Sequence, residues 1–314
     1  MPWKLLHRSL ALGLGLLVVV LALTGWVLAL EPLRSHATQF AQTTANSPGP
    51  ALSLPALAQQ VQQTIPGVEA LRRQHAGTLV VYAFDGEQAQ AWRIHPASAQ
   101  VRGPYQPSLL PRWVKNLHRQ LLLGDAGRWL AASAAAALLV LSLSGWALLL
   151  RRMGGWRRLY GPVQGNALQR LHVQWGRWGV PLLVISSAAA LVLAAATQGW
   201  LETEPTLEAA EPLSTVQGTP LPPQALSALH AYRVQDLEVL RFPSADDAAQ
   251  SWEIRTQQGH GWIDRYSGKL LAWEATGPSQ WLYRWARWLH TGEASWLWAL
   301  VLAGASMATV LLSY

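Results

Sequence analysis

The chain has 314 residues, 51% of them hydrophobic and 13% charged, and it contains no cysteine. The missing cysteine excludes disulfides, thiolate zinc sites, iron–sulfur clusters and covalently attached haem. The net charge of +7 gathers in one short loop, so it reads as a topology signal and points away from a nucleic-acid partner.

Residues 1–31 hold the first charge-free apolar run, Ser9–Leu30. It exceeds a signal-peptide core and reaches Glu31 without a small-x-small cleavage site, so it reads as an uncleaved membrane helix. Residues 32–112 form a first module outside the membrane. Its tether is Ala41–Pro50, and its helix is Leu54–Thr64, entered through Ser53 and Pro55. The strand-like runs Gly67–Arg72, Thr78–Phe84 and Ala89–Ile94 follow, with Asp85-Gly86 as a turn. Residues 113–151 hold an interfacial segment and a second membrane helix, with its apolar run at Trp129–Leu150. Residues 152–177 form an arginine-rich loop, and 178–201 a third membrane helix. Residues 202–280 form a second module, with a tether at Glu204–Pro220 and a helix at Pro222–Tyr232. Its strands are Leu237–Phe242, Gln250–Thr256, Gly261–Asp264 and, after a turn at Ser267-Gly268, Lys269–Trp273. Residues 281–314 hold the last membrane helix, apolar over Ala294–Tyr314. Each apolar run is about 20 residues long, enough to cross a ~30 Å hydrocarbon core as a helix.

The fold expected is an all-α four-helix membrane bundle with two extracytoplasmic α+β modules, built by internal duplication. The phrase Trp113-Val-Lys-Asn-Leu-His118 matches Trp285-Ala-Arg-Trp-Leu-His290, and Gly124-Asp-Ala matches Gly292-Glu-Ala. The loop from Arg151 to Arg177 carries six arginines and no acidic residue, which places it and the N-terminus in the cytoplasm and both modules outside.

His7, His118, His172 and His290 each lie at or just before the N-terminal end of one apolar run. Ionisable residues at membrane helices are costly and mark function by default. With alternating helix direction, His7 and His172 share the cytoplasmic face, and His118 and His290 the outer face. A histidine from each of two helices supplies both axial ligands of a b-type haem, which gives two haems. Arg8, Arg170 and Arg177 on one face, and Arg119, Arg128 and Arg287 on the other, are candidates to pair with haem propionates. His36, His75, His95, His230 and His260 lie in the modules and loops without repeated spacing and read as surface or packing residues. Met307 reads as packing, and the tryptophans at helix ends as an interfacial belt. No hydrolase, zinc-peptidase or nucleotide-binding motif is present.

The segments Leu6-His-Arg8, Leu117-His-Arg-Gln-Leu-Leu-Leu-Gly-Asp-Ala-Gly-Arg-Trp-Leu130, Ser144-Gly-Trp146, Leu171-His172 and Leu289-His-Thr-Gly-Glu-Ala294 resemble the PepSY-associated transmembrane family along nearly the whole chain. Asp264-Arg-Tyr-Ser-Gly268 is similar to the Asp-x-x-Thr-Gly turn of a PepSY domain, and His95–Ala99 is a degenerate copy. The resemblance implies a bacterial inner-membrane protein of the kind that includes ferric-siderophore reductases, with haem at His7, His118, His172 and His290. It implies a periplasmic ferric chelate as electron acceptor. The donor would be a cytoplasmic flavin (FMN or FAD) reductase partner, or a further domain beyond Tyr314, where family members continue with a basic flank that this chain lacks. Transmembrane electron transfer is therefore the expected function. The competing expectation is a non-catalytic envelope protein whose modules bind peptides or a partner.

Overall fold

A strand left at the edge of a sheet carries unpaired N–H and C=O groups that must find another strand or water. In the computed structural model the two segments expected as separate modules meet this demand in each other. Residues 2–45, 52–74, 78–84, 86–106, 109–203 and 211–312 are described. The turn at Asp85, His75, parts of both tethers (46–50 and 204–210) and Ser313-Tyr314 lie outside them, as does the side chain of His36.

The chain divides into a sheet unit, residues 37–107 and 204–280, and a helical unit, residues 1–36, 108–203 and 281–314. The first segment of the sheet unit supplies β1 (Val68–Arg73), β2 (Leu79–Phe84), β3 (Ala89–Ile94) and β4 (Val101–Pro104). The second supplies β5 (Leu237–Arg241), β6 (Trp252–Thr256), β7 (Gly259–Ile263) and β8 (Leu270–Ala275). They make one eight-stranded sheet in the order β4-β3-β2-β1-β5-β6-β7-β8. At the seam β1 and β5 run antiparallel, with Leu71 opposite Leu240. The spacing between those two leucines in sequence is also that between His95 and Asp264. One sheet, in place of two modules, removes two edges that would otherwise be exposed.

One face of the sheet is covered by the helix α2 (Leu54–Thr64). Ser53 caps it, its side chain accepting from the Ala56 N–H, and Leu54, Leu57, Ala58 and Val61 recur at helical spacing on the buried side. They pack with Leu71, Val81, Leu240, Ile254 and Ile263 of the sheet. The helix expected at Pro222–Tyr232 is instead a chain of 3₁₀ turns at Pro223–Ala225 and Ser227–Ala231, with Leu226 extended between them. The Gly268 carbonyl accepts from the Ala228 N–H and the Ser227 hydroxyl. The backbone there bonds to the β7–β8 turn, where an α-helix would have bonded to itself. Leu226 and Leu229 still reach the core.

The helical unit contains the first part of α1 (Pro2–Ala45), together with α3 (Leu109–Gln120), α4 (Gly124–Met153), α5 (Ala167–Thr197), α6 (Pro278–Thr291) and α7 (Trp296–Leu312). Among the described residues three helices are long and apolar enough to cross a membrane, and a fourth span is formed if α6 and α7, bent by 66°, count as one. Leucines such as Leu12 (78% exposed) and Leu16 (80%) point outward. The buried positions of α4 and α5 include Ala134, Ala137, Ser142, Gly179, Ser187 and Ala189. This apolar-out, small-inside pattern is that of helices packed in lipid.

The expected second and fourth spans are each preceded by a separate short helix. Between α3 and α4 the chain turns at Leu121 and Leu122, both with positive φ, and Gly124 (φ 60°). A Cβ on Gly127 would lie 1.7 Å from the Gln120 carbonyl oxygen, so glycine is needed for α4 to start against the end of α3. Gly292 (φ 81°) turns the chain between α6 and α7, and a Cβ there would sit 3.0 Å from Ala299.

Candidate functional site

Imidazoles on apolar helices must satisfy their ring nitrogens within the protein. His7 lies early in α1, His118 near the end of α3, His172 in the second turn of α5 and His290 near the end of α6. The rings of His118 and His290 lie with centroids 6.0 Å apart and planes inclined by 37°. Two imidazoles bonded on opposite sides of one metal atom at ~2 Å have centroids on the order of 6 Å apart. His172 is close enough to His7 to act on it electrostatically. The four side chains thus gather as two pairs.

The pairs lie at different levels. Seventeen residues of α1 separate His7 from Thr24, which contacts His118, so about 25 Å of helix lies between the levels at ~1.5 Å per residue.

Three imidazoles contact a neighbouring helix through Nδ1. His7 Nδ1 is 3.0 Å from Ser144 Oγ on α4. His118 Nδ1 is 2.9 Å from Thr24 Oγ1 on α1. His290 Nδ1 is 3.1 Å from the Ser186 carbonyl oxygen and 3.4 Å from its Oγ on α5. The hydroxyl-bearing residues are deep in the protein: Ser144 is 0% exposed and Thr24 8%. Thr24 and Ser144 are each followed by a glycine against which the imidazole lies. A Cβ on Gly25 would be 3.3 Å from His118 Cε1, and a Cβ on Gly145 would be 3.3 Å from His7 Cε1. The sequence reading singled out neither Thr24, Ser144 nor Ser186 as a site residue. The signal was present in the repeated phrase Thr24-Gly-Trp26 and Ser144-Gly-Trp146.

The arginines take different places. Arg119 acts electrostatically on His118, and Arg8 is exposed. Arg128 pairs with Asp125 at 2.9 Å, and Arg287 with Glu293 at 3.1 Å. Arg177 is buried and donates to the Gly161 carbonyl at 2.6 Å, while its Nε is buried without a hydrogen bond. Among the described residues Trp146 Nε1 is likewise a buried donor without an acceptor. Among the described residues no three His, Asp or Glu side chains converge as they would around a metal ion held by the protein alone.

The sheet unit has its own polar cluster. Glu253 (5% exposed) on β6 accepts from Arg241 at 2.8 Å and lies 2.8 Å from His260 Nε2, with Arg255 at 3.5 Å. Burial pushes its carboxyl up, but the His260 contact and the two guanidiniums outweigh that and hold it below the usual carboxylate range. Glu253 borders a cavity of about 900 Å³ at the β1–β5 seam, lined also by Glu69, Arg72, Tyr82, Arg241 and Asp246.

Asp264 closes the β7–β8 turn. Its Oδ1 accepts from the N–H groups of Tyr266 (2.7 Å) and Ser267 (2.8 Å), and its Oδ2 from that of Thr215 (3.2 Å). Burial opposes ionisation, yet these donors hold the carboxyl below its ordinary value of 3.8.

No curated protein matches this chain. The family model described as the PepSY-associated TM region matches residues 4–314. With apolar helices of spanning length and a match over nearly every residue, the chain belongs to the PepSY-associated transmembrane family.

Proposed function

We propose that this membrane protein carries electrons across the bacterial inner membrane through two b-type haems, one held by His7 and His172, the other by His118 and His290. The observation that carries the reading is the pair His118–His290, whose 6.0 Å centroid separation would let both histidines hold one iron. The buried donors Arg177 Nε and Trp146 Nε1 suit the carboxylate of a propionate, and Arg119 offers a cation beside His118. Haem iron, when bound, supplies a one-electron couple, which the surrounding protein tunes by ligand identity, burial and hydrogen bonding. The chain's own contribution is to bind and orient. Small residues let α4 and α5 approach, and the helices carry the imidazoles to their places. The two levels, about 25 Å apart along α1, suit one site toward each face of the membrane.

In this reading the arginine loop lies in the cytoplasm and receives a flavin reductase domain or partner. The sheet unit lies outside, and the acceptor is a ferric chelate such as a ferric siderophore. The internal repeat of Trp-x-x-x-Leu-His phrases supports two sites that arose from one.

The test is the colour and haem content of the purified protein. We expect two haems per chain with the reduced spectrum of low-spin bis-histidine b haem. His7→Ala and His290→Ala should each lose one haem and keep the other. Colourless protein after expression with ample haem would overturn the proposal. The cavity at the β1–β5 seam, with its charged rim, favours as a second reading a module that binds a peptide or partner protein. That reading predicts full function in a haem-free chain.

A further inference from the structure

The three Nδ1 contacts have a direction fixed by elementary donor–acceptor rules. A carbonyl oxygen only accepts. His290 Nδ1 lies 3.1 Å from the Ser186 carbonyl oxygen, so a proton on that nitrogen completes the bond and a lone pair would oppose it. Thr24 has a single hydroxyl proton. Its Oγ1 is 2.9 Å from the Val20 carbonyl oxygen and 3.1 Å from that of Leu21, one turn earlier in its own helix. With the proton donated there, Oγ1 is left to accept from His118 Nδ1. Ser144 repeats the arrangement: its hydroxyl donates to the Leu141 carbonyl at 3.1 Å, which leaves Oγ to accept from His7 Nδ1 at 3.0 Å. Gly25 and Gly145 allow the close approach. A Cβ at either would stand 3.3 Å from Cε1 and 3.8 Å from Nδ1 of the seated ring, the same two distances in both seats.

We infer that Thr24, Ser144 and the Ser186 carbonyl are positioning groups that hold the proton of His118, His7 and His290 on Nδ1, so that each ring presents the Nε2 lone pair. The tautomer follows from the hydrogen bonds alone; that Nε2 then meets haem iron rests on the function proposed above. Such partners of a ligating histidine fix its orientation and raise its basicity. Without them the neutral ring exchanges between two tautomers, one of which has no lone pair on Nε2.

The full chain, labelled with ¹⁵N-histidine and reconstituted in lipid without haem, tests the tautomer directly. At neutral pH the nitrogen shifts of His7, His118 and His290, assigned by single His→Ala variants, should report protonated Nδ1 and unprotonated Nε2. Protonated Nε2 in these residues would overturn the inference, even in a chain that binds two haems. If the chain binds no haem, the same spectrum still decides the tautomer. In the haem-loading arm, Thr24→Val should weaken haem binding at the His118–His290 site by about 10–100-fold and leave the other site unchanged. Ser144→Ala should do the reverse. Thr24→Ser and Ser144→Thr, which keep the hydroxyl, should restore affinity. Failure of the hydroxyl variants to restore it, or equal loss at both sites, would also overturn the inference.

Discussion

The turns at His95–Ala99 and Asp264–Gly268 occupy the same place in the two halves of the sheet but are built from different residues. In the second, Gly268 takes φ 68°, the Asp264 carboxylate gathers three backbone donors, and Leu226 and Ser227 backbone atoms crowd the glycine. In the first, Ala99 takes φ 53° with a Cβ present. His95 stands for the aspartate, with Nδ1 3.2 Å from Ser98 Oγ. Backbone bonds close both turns alike: Ala99 N–H donates to the His95 carbonyl and Gly268 N–H to that of Asp264. The same conformation is therefore imposed by strand pairing in one half and favoured by its own residues in the other. The links of the helical unit show the same division, Leu121 and Leu122 at positive φ in the first and Gly292 in the second.

That difference is open to substitution. Gly268→Ala should have the largest effect, a loss of about 2–4 kcal/mol from the left-handed backbone and from overpacking against Leu226 and Ser227. Exchange of β7 and β8 amide hydrogens, followed by mass spectrometry on the full chain, would show it. Exchange as slow as in the parent would mean that the second turn, too, is imposed by its surroundings.

Asp264→Asn should follow, at about 1–2 kcal/mol, because the bonds to Tyr266, Ser267 and Thr215 lose their charge. His95→Ala should cost less. The sign of the pH effect is set by the direction of the Asp264 shift. A carboxyl held below 3.8 when folded contributes stability that is present above 3.8 and lost as the pH falls through the folded value. Acid titration of the β7–β8 exchange should show this loss in the parent and not in Asp264→Asn. The smallest effect belongs to Ala99→Gly. Relief of the left-handed alanine gains about 1 kcal/mol, partly offset by loss of the methyl of a residue only 3% exposed, so protection of β3 and β4 should rise slightly. A fall would mean that the alanine methyl matters more than its backbone.

The strands themselves were legible in the alternation and turn signals. β3 falls on the expected Ala89–Ile94, and β1, β2, β5 and β6 lie within a residue or two of their expected runs. β4 was missed because Val101-Arg-Gly-Pro104 is short and carries both residues that weaken a strand. The joining of the segments at Leu71 and Leu240 is a long-range pairing that no local pattern reports. In the helical unit, helix direction alone predicts which histidines share a level, and the rings of His118 and His290 lie with centroids 6.0 Å apart. The partners of Nδ1 were harder to see. Thr24 and Ser144 sit inside apolar runs, where a lone hydroxyl looks like a helix residue bonded to its own backbone, and only the imidazole from another helix gives it a second role.

One consequence follows from the reciprocal placement of these residues. α1 lends His7 to the seat on α4 and offers its own seat to His118, which enters from the segment just ahead of α4. The two levels are therefore keyed to one rigid shaft. Each added residue turns the rest of a helix by about 100°, so a single insertion between His7 and Thr24 would leave both composition and hydropathy intact while putting one seat out of phase with its guest. The intervening stretch of α1 is a ruler as much as a membrane span: its lipid-facing side chains are free to vary, but its length is not.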